Sequence, residues 1–328
     1  MSDMTVDLLL INSFLHPDLI VYPSGSGLVE GRLAPAYKQD VRAGGGAYTG
    51  KVAAQFGRNV SYLDWVGDDV FGNVTIEQLS AMGHDTSGIH RYSGQHMFCV
   101  SVADSHSQGA TMVATYPPDW QRTFTEISDG IHSAASAADA YVYSWFWSFA
   151  HPDLHDAPTA DLMGDIHRHH GRTVLDPNWK PDGPPPPHEL AELRKSLPFV
   201  DMLLPNTRDA SLLVGEHDPA EQVRRLLGLG PAAVVLTAGG TRAYWGEAHD
   251  GRVYSIPTPR VDVIDTTGAG DAFGGAIVST ARDLPSSVAI ACSAASLTTA
   301  AQLGDGPLPN DSLRAQSTQL LAEMEEHR

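Results

Sequence analysis

Basic residues are scarce in this chain. Its 328 residues carry 21 Lys and Arg against 39 Asp and Glu, a net charge of −18, and the basic ones form no run. That balance argues against binding nucleic acid or an anionic membrane through surface charge, so any phosphate ligand has to be met locally. Cysteine is nearly absent: Cys99 and Cys292 are too few for a disulfide framework and fit a reducing cytoplasm. Long hydrophobic runs are missing too. The weakly polar stretch from Ser286 to Leu303 is interrupted by Ser and Thr and reads as a packed interior helix, not a membrane span. The N-terminal MSDMTVDLLLINSF shows neither a basic leader nor a small-residue cleavage site, and is expected to hold a first strand rather than a signal peptide.

What is present is an alternation of strand-like and helix-like segments, long enough to bury a sizeable core. It points to an open, mostly parallel α/β sheet flanked by helices, with candidate ligand residues recurring at strand exits. Residues 1–328 are read as one such domain, with a small β-sheet lid inserted at about 14–42 and 95–118. Met97 to Ala103 and Ala110 to Tyr116 alternate around turn residues, the pattern of a hairpin.

The most informative stretch runs from Val263 to Ala276. Val261, Val263 and Ile264 read as the close of a buried strand, while Ala272, Phe273, Ala276, Ile277 and Thr280 recur at helical spacing. Between them Gly268 and Gly270 allow a sharp turn and leave amides at the positive end of the helix dipole, which makes an anion site. Asp271 at the helix start is explained without any function as a capping or first-turn aspartate. Beside those amides it also has a chemical use. A carboxylate there can take a proton from a hydroxyl while the amides stabilise charge on a transferring phosphoryl group.

Gly45 to Lys51 (GGAYTGK) meets the spacing of a different phosphate loop. Val52 follows, however, where that loop needs a Ser or Thr hydroxyl for magnesium, and Tyr37 to Arg42 makes a poor buried parallel strand. The loop reading is set aside.

Asp265 to Ala276, DTTGAGDAFGGA, closely resembles the second signature of the PfkB or ribokinase-like carbohydrate kinases. Gly44-Gly45 opening a helix that ends at Gly57, a strand from Val60 to Val66, then Gly67-Asp68-Asp69 and Phe71-Gly72 resemble the first. The resemblance covers about Leu8 to Pro309. It implies a ribokinase-like fold and an ATP- and Mg2+-dependent kinase that phosphorylates a hydroxymethyl group on a sugar or sugar-like small molecule. Asp271 would be the base, and the amides of Gly268, Ala269 and Gly270 the anion hole. Asp18, shortly after the first strand, would accept hydrogen bonds from substrate hydroxyls, a task for a group that offers only acceptors. Gly44, Gly45 and Thr49 belong to the same substrate side. Thr49, or Tyr48 counting back from Gly57, stands where the family places asparagine, and that departure loosens the substrate assignment.

By the same resemblance the nucleotide and its phosphates fall to Lys180, Asn206, Thr237, Gly239 and Thr267. Lys180 stands where arginine is common and keeps the charge without the bidentate fork. Asp209, in Asn206-Thr207-Arg208-Asp209, replaces a glutamate that orders Mg2+-bound water, although helix capping by Asn206 competes with that reading. Asp265 is a candidate for a K+ site beside the anion hole. Arg242, where glycine is usual, receives no role. The lid implies exclusion of water and, as in many members, a homodimer surface.

Two features keep alternatives open. The aromatic run from Tyr141 to Phe149 is core filling by default, but at a strand exit it suits stacking on a nucleobase, so a nucleoside kinase of the same fold remains an alternative. A catalytically silent small-molecule sensor is a third reading, opposed by the intact Asp271 and its glycines. His151, Asp153 and His155, with His167, His169 and His170, have only loose metal-ligand spacing and lack a completing cysteine or carboxylate.

Overall fold

A computed structural model describes residues 7–24, 31, 33–104, 109–115, 138–143, 159–168, 172–179, 183–280, 283–301 and 311–327. Its first half runs β1 (Asp7–Ile11), β2 (His16–Pro23), β3 (Ala36–Gly44), α1 (Gly46–Gln55), β4 (Val60–Gly67), α2 (Val70–Ala81), β5 (Ile89–Tyr92), β6 (Cys99–Asp104), β7 (Gly109–Ala114) and β8 (Ala138–Tyr143). The second half runs α3 (Thr159–Arg168), β9 (Thr173–Asp176), α4 (Pro187–Ser196), β10 (Met202–Leu203), α5 (Thr207–Val214), α6 (Pro219–Leu227), β11 (Ala233–Ala238), β12 (Arg242–Glu247), β13 (Val253–Pro257), α7 (Ala269–Ser279), α8 (Leu284–Thr299), α9 (Asp311–Ala322) and β14 (Glu325–His327).

Ten strands form the main sheet in the order β14-β13-β12-β11-β10-β9-β8-β1-β4-β5. From β11 to β5 neighbouring strands are parallel, and β12 to β14 continue the sheet antiparallel. The four residues Leu8 to Ile11 of β1 are all buried, as a central parallel strand covered on both faces requires. Its alternation divides the core. Leu8 and Leu10 pack with Val52, Phe273, Ile277 and Val288, whereas Leu9 and Ile11 pack with Leu162, Leu193, Leu213 and Val223. Helices α1, α7, α8 and α9 therefore cover one face and α3 to α6 the other.

The lid is a separate four-stranded sheet, β3-β2-β6-β7, made from two excursions of the chain, one after β1 and one after β5. Residues 37–42, dismissed as a buried parallel strand, belong to β3, which pairs antiparallel with β2 and exposes alternate residues.

One expectation is corrected. Val261 to Ile264 form no strand, and Ile264 is exposed. Pro257 and Pro259 withdraw two amide donors there, and the segment is instead tied to helix α8 by the amides of Ile264 and Asp265, which both donate to the Thr299 carbonyl, at 2.8 and 3.2 Å. Strand β10 is only two residues long and follows a short 3-10 turn at Leu197–Phe199.

Candidate active site

The chain leaves β1 through two non-glycine residues with left-handed backbone, Asn12 (φ 51°) and Phe14 (φ 59°). Each costs roughly 1–3 kcal/mol, and such outliers gather where a site must be shaped. Gly45, at φ 59°, precedes α1, and a side chain on it would run into the Phe14 carbonyl. Gly46 follows closely, its amide donating to the Ser13 carbonyl at 2.6 Å. The Gly-Gly turn thus lets the start of α1 abut the β1 exit.

Asp18 lies on β2, buried on the inner face of the lid. Gly44 sits beside it with no room for a Cβ, which would come within 2.7 Å of the Asp18 Cγ. Asp18 Oδ1 is 3.1 Å from His16 Nε2, while His16 Nδ1 is 2.6 Å from the Phe14 carbonyl. Burial alone would lower the His16 pKa. Hydrogen bonds to Asp18, Cys99 and the Phe14 carbonyl, with the Asp18 charge, outweigh it and raise the pKa to about 10.

Helix α7 starts at Gly268, whose φ of 77° supplies the turn, and no side chain caps it. Its first-turn amides are therefore oriented for an anion. The Ala269 amide makes a long bond, 3.3 Å, to the Thr266 carbonyl, and Thr267 donates to Asp265 Oδ1 at 2.9 Å. Asp271 is half-buried in that first turn, and Thr49 Oγ1 donates to its Oδ1 at 3.4 Å. The contact exists because α1 and α7 pack unusually closely. A Cβ on Gly274 would strike the Tyr141 ring and one on Gly275 would strike the backbone at Thr49.

Tyr48 and Thr49 have different surroundings. Thr49 is fully buried and its hydroxyl serves Asp271, whereas the Tyr48 ring lies 3.8 Å from where a Gly268 Cβ would sit. The Tyr48 hydroxyl is buried without a well-formed hydrogen bond. Burial, then the charge of Asp18, and to a smaller degree that of Asp271, pushes its pKa up. Tyr48 thus lies within the field of both carboxylates, that of Asp18 more strongly.

On the other side of the sheet edge, Asn206 caps α5 and Asp209 returns the contact in a capping box: Asp209 N donates to Asn206 Oδ1 at 2.9 Å and Asn206 N to Asp209 Oδ2 at 3.4 Å. Trp179 N donates to Asp209 Oδ1 at 3.2 Å, and Asp209 is wholly buried. An enclosed carboxylate engaged by backbone amides fits a scaffolding part better than ordering Mg2+-bound water. Thr237, next to the last residue of β11, is bridged to Asn206, and Gly239 makes the exposed β11–β12 turn at φ 58°. Arg242 turns away to Ser255 and Glu325 on the antiparallel edge. Lys180, Trp145 to Phe149, His151, Asp153, His155, His169 and His170 lie outside the described residues. His167 packs beside Phe199 at the end of α3.

A parallel sheet under a four-stranded lid, with an uncapped glycine-led helix start beside a carboxylate, is the architecture of the ribokinase fold. Among solved structures, an E. coli protein described as ribokinase II, bound to ATP and Mg2+, superposes with a TM-score of 0.78 at 17% identity, covering 96% of this chain and 99% of that one. Arabidopsis thaliana ribokinase, complexed with ribose and ATP, gives 0.72 at 20% identity, with 97% and 99% covered. Residues 17–311 match the family model described as pfkB family carbohydrate kinase, and the chain belongs to that family. It is 29% identical over 251 residues to the 2-dehydro-3-deoxygluconokinase of Thermoproteus tenax, covering 74% of each chain. The protein is an ATP-dependent carbohydrate kinase.

Proposed function

We propose that the protein transfers the γ-phosphoryl group of ATP to a hydroxymethyl group of a sugar or sugar-like small molecule, with Asp271 as the base. The observation that carries this is the half-buried Asp271 in the first turn of an uncapped helix, reached by Thr49 from α1. Asp271 accepts the hydroxyl proton as the substrate oxygen bonds to phosphorus, and the bond to the bridging oxygen of ADP breaks with its electron pair leaving on ADP. Amides of Gly268, Ala269 and Gly270 face the charge that develops on the phosphoryl oxygens. Thr49 holds Asp271 in place. Asp18, with Gly44 leaving it room and Gly45 shaping the turn, accepts from sugar hydroxyls.

The nucleotide side is assigned to Asn206, Thr237, Gly239 and Thr267, with Lys180 as a point charge on phosphate. Mg2+ would accompany ATP and shield its phosphates. The enclosed Asp209 does not offer it an accessible oxygen, and no step is assigned to the metal. Asp265, buried beside the helix start and held by Thr267, is assigned to a monovalent cation such as K+. The chain is taken as one α/β domain with an inserted lid, working in the cytoplasm; among the described residues no helix is long and apolar enough to cross a membrane.

The lid also supports a homodimer. Register places Leu19, Val21, Val41, Val100 and Val113 on its outer face, opposite Asp18, with Val41 and Val113 exposed. An apolar sheet face of that breadth suits a second copy.

A panel of hydroxymethyl sugars, sugar acids and nucleosides tests the assignment, with ADP release and thermal shift as readouts and K+ exchanged for Na+ in one arm. ADP release with a sugar or sugar acid is expected. Release with nucleosides alone would transfer the assignment to a nucleoside kinase, and no release with any of them would leave a sensor.

A further inference from the structure

On the inner face of the lid, His16 and Cys99, to which phosphoryl transfer assigns no role, flank Asp18. We propose that His16, Asp18 and Cys99 form a binding site for a thiophilic divalent cation of the Zn2+ type, which competes there with the sugar.

His16 and Asp18 are two apart on β2 and share its buried face, and Cys99 on β6 is in direct register with Asp18. All three side chains are buried, and their nitrogen, oxygen and sulfur donor atoms lie within 4.8 Å of one another. Ligands at about 2.0–2.3 Å around a tetrahedral ion stand roughly 3.3–3.8 Å apart, so closing the set takes shifts of about an ångström. The His16–Asp18 pair at 3.1 Å is already near that spacing.

The ring is oriented for the task, and a bound cation would displace the Nε2 proton that His16 shares with Asp18. The Phe14 carbonyl, 2.6 Å from Nδ1, accepts a hydrogen bond from it, which leaves Nε2 directed at Asp18. A carbonyl on the far nitrogen is the usual support of a metal-ligating histidine, and the Phe14 ring, edge-on at 5.3 Å, fixes the imidazole plane. Nitrogen, sulfur and a single carboxylate favour Zn2+ over the Mg2+ that travels with ATP, because Mg2+ takes oxygen ligands. Three protein ligands leave a fourth position open for water or a ligand.

The competition rests on the reading of Asp18 as the sugar's acceptor, since an oxygen bound to metal is withdrawn from a sugar hydroxyl. The metal site itself does not depend on that reading, and the two are tested separately.

Chelator-treated full-length protein is titrated with Co2+ as a spectroscopic stand-in for Zn2+. The expected result is a thiolate-to-Co2+ charge-transfer band with intense tetrahedral visible bands, saturating at one equivalent and displaced by Zn2+. The bands should vanish in Cys99→Ser, weaken in His16→Gln and persist in Cys292→Ser, each variant checked for native circular dichroism. Absence of the bands in folded wild-type protein, or their survival in Cys99→Ser, overturns the site. With the site established, Zn2+ should raise the KM for the sugar without lowering kcat, and Cys99→Ser should be insensitive. A Zn2+ effect unrelated to sugar concentration would leave the metal site standing and remove Asp18 from sugar binding.

Discussion

Single residues carry most of the site's shape, and several do so by lacking a side chain. Gly44 is the clearest, because its missing Cβ is the space occupied by the Asp18 carboxylate. Gly44→Ala should therefore displace that acceptor and raise the KM for the sugar by about tenfold or more, since a hydrogen bond to a charged group contributes roughly 1.5–3 kcal/mol, while the KM for ATP changes little. Steady-state kinetics in both substrates checks this, and equal effects on the two would contradict it. Away from the site, His84 is buried against the Tyr62 hydroxyl, 2.8 Å from Nδ1, and burial lowers its pKa from 6.5 to about 4. The folded state thus favours the neutral ring. Its contribution is complete above about pH 6.5 and is lost as the pH falls towards 4, by roughly 2–3 kcal/mol near pH 4.5. Urea unfolding of wild type and His84→Gln at pH 7 and pH 4.5 reads this directly. The variant should lose less stability than wild type on acidification, and equal losses would show that His84 stays hydrated.

At the scale of elements, the parts legible in the sequence were those written in local chemistry. DTTGAGDAFGGA announced a glycine turn and a helix start, and both are present, with left-handed Gly268 making the turn and Gly274 and Gly275 allowing close packing of the helix. The lid hairpin was legible from its alternation. What escaped was set by partners distant in sequence. The segment from Val261 to Ile264 is apolar enough for a strand, yet its amides go to Thr299. The grouping of His16 with Cys99 follows from the pairing of β2 with β6, which no local pattern encodes. Asp209 illustrates the reverse: the Asn-x-x-Asp spacing supported both a cap and a metal role, and burial favours the cap. One prediction belongs to this scale. If the outer face of the lid joins two copies, Val113→Glu places a charge in that contact, on the edge strand β7. Light scattering should show a wild-type dimer and a monomeric variant with unchanged circular dichroism, whereas a monomeric wild type would contradict the dimer.

For the whole molecule, the ordering of elements gives the chemistry its setting. The carboxyl ends of the parallel strands bring β1, β10 and β11 exits to one edge, and the lid carries Asp18 to the same edge from a separate sheet. Helix α1 links the two, with Thr49 on Asp271 and Tyr48 in the field of both Asp18 and Asp271. A chain with net charge −18 can still hold a polyphosphate there, because backbone amides at a helix start need no basic side chain. The central claim is that Asp271 takes the proton from the sugar hydroxyl, and single-turnover phosphoryl transfer by Asp271→Asn tests it most directly. With ATP binding and fold retained, the account predicts a loss of about 10²-fold or more in the rate of transfer. A rate within a few-fold of wild type would contradict it.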